Sequence, residues 1–176
     1  MIDLDAATVM IQWAAGGLFF LWVTTRRREV GLGYGWLQRI TFISFGVIAL
    51  VIAFYTEWVP VRDIATLAMI VSSGWALWVS YARRSAGVEG QRAVIERRSE
   101  RVATMTGIDR DEQRFDKDQP EFPPYLDLIP PIFGLIACVA GGVAAADPAW
   151  LGVFRIVVGA AFLGAVTDAM LLGHWY

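Results

Sequence analysis

AATVMIQWAAGGLFFLWVTT, residues 6–25, is a run of twenty residues without a charge, set between Asp5 and Arg26. A helix rises about 1.5 Å per residue, so a run of this length crosses the roughly 30 Å hydrocarbon core of a bilayer. Four more apolar stretches follow, at 40–56, 64–82, 128–146 and 149–173. The sequence therefore predicts an all-α, polytopic helical membrane protein with about five transmembrane helices.

Composition agrees with that class. The chain is 56% apolar and only 18% charged, outside the range of an ordinary soluble domain. Its 176 residues suit one membrane unit with no separate soluble domain. We expect a three-helix membrane segment over 1–83, a cytoplasmic basic and acidic loop with a helix over 84–124, and a two-helix membrane hairpin over 125–176. A net charge of −2 argues against a nucleic-acid partner, which would need a basic surplus. The single cysteine, Cys138, lies in the fourth stretch, where a lone thiol serves as a small hydrophobe. Fourteen arginines against one lysine, with abundant Ala, Val and Gly, fit a GC-rich bacterial genome and hence a bacterial cell membrane. The acidic start MIDLD and the long first stretch predict no cleavable signal peptide.

Charge sets the expected orientation. Arg26, Arg27, Arg28 and Arg39 fall between the first and second stretches, and nine more basic residues lie between Arg83 and Lys117. Thirteen of fifteen basic residues thus occupy alternate connections, and basic loops stay in the cytoplasm. This places the N-terminus outside and the C-terminus inside. Trp22, Trp36, Trp58, Trp78, Trp150 and Trp175 stand near stretch ends, where amphipathic rings favour the headgroup region.

The connections carry little chemistry. Gly31, Gly33 and Gly35 suggest a flexible interfacial turn, because a phosphate-cradling glycine run needs a strand before it and a helix after it. Residues 91–106 favour a cytoplasmic helix. Asp109, Asp111, Asp116 and Asp118 lack the central glycine and terminal glutamate of a calcium loop, and read as a solvated linker. Pro120, Pro123 and Pro124 should deliver an extended chain to the fourth span, with a kink at Pro131.

Small residues recur at four-residue spacing in the last two spans, among them Gly134, Gly141, Gly142 and Gly164. Such faces let helices approach closely where lipid removes the hydrophobic drive. Joined only by Asp147 and Pro148, these spans should form a tight hairpin, and Ala14 to Gly17 offer the first span a similar face.

Ionisable residues inside spans are functional candidates by default. Arg155, Asp168 and His174 qualify, with Gln12 at a depth matching Arg155. Arg155 and Asp168 are thirteen residues apart, about 20 Å along one helix and roughly 140° around it, so they cannot pair. We expect an Arg155 to Gln12 link or a snorkelling Arg155, and a polar clamp at Asp168 with Arg39, Arg83 or one of residues 26–28. A lone histidine supplies no bis-histidine haem site and, with one cysteine, no zinc site. No catalytic motif occurs, and we expect no catalytic residue, metal or cofactor within the chain. The ending GHWY, with no basic residue after it, leaves room for further spans. These features predict a non-catalytic subunit of a larger cell-membrane complex, its partners being the bilayer and other membrane proteins. Two alternatives are a small transporter or proton conductor using Asp168 and Arg155, and an electron-transfer partner lending His174 to haem or quinone.

Overall fold

A computed structural model describes residues 5–26, 31–84, 104–105 and 121–175, without the side chains of His174 and Trp175. Arg27, Arg28, the expected helix at 91–106 apart from residues 104–105, the acidic linker and the His174 imidazole lie outside the described residues. Five long helices form the bundle: α1 (Ala6–Thr25), α2 (Leu32–Tyr55), α3 (Pro60–Ala82), α4 (Ile129–Ala145) and α5 (Ala149–Trp175). A 3₁₀ turn, Pro124–Leu128, leads into α4. All five, with that turn counted into the fourth, are long and apolar enough to cross a membrane.

The centre is α1, which packs against α2, α4 and α5, while α3 closes the far side against α2 and α4. Its sequence explains the position. Apolar and small residues surround the whole circumference, as a helix enclosed on most sides requires. Its start is fixed by Asp5, whose carboxylate accepts from the Thr8 amide at 2.6 Å and satisfies one of the free N–H groups of the first turn.

The other helices point large apolar groups outward. On α3, Val61, Ile64, Leu67, Val71, Trp75 and Trp78 are exposed at three- and four-residue intervals. The same helix buries Arg62, Asp63, Thr66, Ser73 and Ser80. That is a soluble helix turned inside out, with polar groups facing neighbouring helices.

Two boundaries differ from the sequence expectation. The glycine-rich segment is helical, because α2 begins at Leu32 instead of near residue 40, and it takes in Gly33, Gly35, Gln38 and Arg39. Polar residues that end a hydropathy window remain helical when partners elsewhere in the fold satisfy them. Pro130 and Pro131 also lie in the first turn of α4, where a missing N–H costs nothing, so they open the helix and do not interrupt its interior.

Close packing follows the small residues, though not only within the last hairpin. Gly142 and Gly152 bring α4 and α5 together, and a Cβ at Gly142 would lie 2.6 Å from the Val153 amide nitrogen. Gly134 turns to α1, where its Cβ would sit 2.6 Å from that of Ala15. Gly164 also faces α1, at Gly16. Gly141 has ordinary room beside Arg62 and Thr8, at 3.5 Å. The Phe42 ring of α2 fills the hollow over Gly17.

Candidate functional site

Three buried polar groupings tie the helices together. At one end, Arg62 in the first turn of α3 is 2% exposed. Its Nε donates to Asp63 Oδ1 at 2.7 Å, and its Nη1 to Asp5 Oδ2 at 2.6 Å. Nη2 donates to the Glu57 carbonyl at 2.8 Å. Asp63 also accepts from the Val59 amide at 2.7 Å, so one cation braces the α2–α3 turn and the N-cap of α1. Burial of Asp5 works against its charge. The Thr8 hydroxyl and amide and the Arg62 guanidinium outweigh it and hold this carboxyl below the usual carboxylate range.

At the other end, Arg39 of α2 meets Asp127 in the 3₁₀ turn. Nε donates to Oδ1 at 2.9 Å, and Nη2 lies 2.6 Å from Oδ2, giving a two-pronged charge-assisted pair. Thr25, at the end of α1, donates to Asp127 Oδ2 at 3.2 Å. The guanidinium also lies 5.0 Å from the centre of the Phe122 ring. Gly35 makes the geometry possible, since a Cβ there would stand 2.9 Å from Arg39 Nη1.

The third grouping holds Asp168 of α5, which is 4% exposed. Its Oδ1 accepts from the Tyr34 hydroxyl and, at 3.2 Å, from Gln38 Nε2. Gln38 Nε2 also donates to the Tyr34 oxygen at 2.8 Å. The preceding residue, Thr167, accepts from the Trp13 indole at 2.7 Å. Adjacent residues of α5 therefore latch onto α1 and α2. Gln38 Oε1 is buried without a partner in the structure, as are Gln12 Nε2 and Ser73 Oγ.

Of the residues singled out in the sequence, Asp168 is buried among polar side chains, but its partners are Tyr34 and Gln38, not an arginine. Arg39 follows Gln38 by one residue, about 100° around α2, and so turns to Asp127 instead. Arg155 and Gln12 do not meet. Arg155 is exposed, while Gln12 packs at Gly159, where a Cβ would stand 2.6 Å from its Oε1. Sequence reasoning passed over Asp5, Tyr34, Gln38, Asp63 and Asp127. The available signals were the Tyr34 to Gln38 spacing of one helical turn and the isolated acid in YLDLIPP.

Chemically, these groups exchange hydrogen bonds and charge with one another. Among the described residues there is no group of three or more His, Cys, Asp or Glu able to hold a metal ion. Set against protein-family models, curated proteins and solved structures, the chain matches none.

Proposed function

We propose that the chain is a multi-pass protein of the bacterial cell membrane, with its N-terminus outside. In this reading it serves as a non-catalytic subunit or accessory protein of a larger membrane complex. The membrane placement is supported by five spanning-length apolar helices whose outer faces carry Val, Ile, Leu, Phe and Trp, while Arg39, Arg62, Asp63 and Asp168 are buried between them. The orientation is supported by the thirteen-to-two distribution of basic residues.

One observation carries the subunit reading. Every buried arginine and aspartate among the described residues is engaged by another group of the same chain. Groups so occupied brace a bundle by holding one another. The test is purification from native membranes in mild detergent, through two successive sizing steps. A second membrane protein at fixed stoichiometry is the expected result. A lone monomer or homo-oligomer at native abundance would reject it.

A second reading, proton transfer at Asp168, is favoured by a buried carboxyl hydrogen-bonded to an ionisable hydroxyl, that of Tyr34. The variants Asp168→Asn and Asp168→Leu separate it from the first.

A further inference from the structure

A cleft of about 300 Å³ opens between α1, α4 and α5. Its walls are apolar throughout, formed among others by Phe19, Leu128, Ile132, Leu135, Cys138 and Ala161. Its floor is the contact of Gly16 with Ala160, where a Cβ on Gly16 would collide with the Ala160 carbonyl. Phe19, Ile132 and Leu135 are exposed at its rim. From there an aromatic line leads to a cation. The Phe19 and Trp22 ring centres are 6.0 Å apart, and the Arg26 guanidinium lies 5.4 Å from the Trp22 ring.

Arg26 follows Phe19 by seven residues, two helical turns, so it stands on the same face about 10 Å further along α1. It is exposed, and no described carboxylate pairs with it, because Asp127 at that end is taken by Arg39. An apolar cleft, an aromatic ring at the boundary and an exposed cation in sequence match a phospholipid from tail to head. We propose that the cleft seats an acyl chain of an anionic phospholipid whose phosphate is met by Arg26. The inference rests on the membrane placement proposed above, and does not depend on the subunit role.

The test uses the full chain in nanodiscs of equal phosphatidylglycerol and phosphatidylcholine, released for native mass spectrometry. We expect one retained lipid per protein, with phosphatidylglycerol favoured about fivefold, as one arginine near a lipid headgroup supplies. Arg26→Gln should bring that ratio near one. Arg84→Gln, at an exposed position just past the end of α3 and away from the cleft, should leave it unchanged. Ala161→Phe, which fills the cleft from an exposed position, should remove the retained lipid without lowering the melting midpoint. Equal retention of the two lipids by the wild type, or lipid still held by Ala161→Phe, overturns the proposal. So does a dimer that Ala161→Phe dissociates, which would make a second copy the occupant. Failure of the membrane placement is distinguishable, since the protein would then be absent from the discs.

Discussion

Gly16 of α1 and Gly164 of α5 pack main chain against main chain, so that a Cβ on Gly164 would fall inside the backbone of Gly16. Where lipid surrounds a bundle, close approach of this kind supplies dispersion that a hydrophobic drive cannot. The contact joins the most enclosed helix to the least enclosed one.

Gly16→Ala or Gly164→Ala should therefore force the helices apart and lower stability in detergent by about 1–3 kcal/mol. Gly141→Ala should cost less than about 0.5 kcal/mol, because its nearest neighbours stand at ordinary contact distance, 3.5 Å. Denaturant titration of the three variants measures the difference. Equal losses at all three positions would remove the case for a specialised α1–α5 contact.

The five helices were legible because each carries a long apolar run, and α1 carries no charge at all over twenty residues. Arg39 and Gln38 read as loop because a hydropathy window treats polar residues as an ending. They remain in α2 because Asp127 and Asp168 reach them from 88 and 130 positions away, and no local pattern reveals such pairings. Asp168 stood out as an acid in an apolar run, while Asp127 did not, since prolines and other acids precede it. Small residues marked Gly142 and Gly164 as packing positions, but spacing within a helix does not say which neighbour it faces.

The Arg39–Asp127 pair offers a second prediction. Both side chains are almost fully withdrawn from solvent, 4% and 2% exposed, so removing one leaves an uncompensated charge. Asp127→Leu should cost about 3–5 kcal/mol, and Arg39→Met with Asp127→Leu together should regain most of that loss. Thermal melts of both proteins decide. A double variant no more stable than the single one would mean that the pair does more than balance charge.

Asp5 gives stability a pH dependence. Its carboxyl is held below the ordinary value in the folded chain, so its stabilisation is complete above the unfolded pKa near 3.8 and is lost as pH falls through the folded value. Melting midpoints measured downward from pH 5 should fall, and Asp5→Asn should fall less steeply over the same interval. Parallel curves would show that the acid sensitivity does not arise at Asp5.

Orientation is open to direct chemistry. With Cys138 replaced by alanine, a cysteine placed at Thr56 should react with a membrane-impermeant thiol reagent in intact cells, and one at Ser99 should resist it. The reverse pattern would invert the topology inferred from the basic residues.

Asp168 separates bracing from proton transfer. Oδ1 is the atom that accepts from Tyr34 and Gln38, and an amide oxygen in its place accepts the same two bonds. If bracing is the role, Asp168→Asn should fold to wild-type levels, with its melting midpoint nearly unchanged. Asp168→Leu strips both bonds, although the Tyr34 hydroxyl still accepts from Gln38, for a loss of about 1–2 kcal/mol. A proton carrier behaves differently, because an amide cannot bind and release a proton in the working pH range. Growth complementation read beside the amount of folded protein distinguishes the two. Normal growth with Asn and depleted protein with Leu supports the brace. A well-folded Asn variant that fails to complement would transfer the assignment to proton transfer.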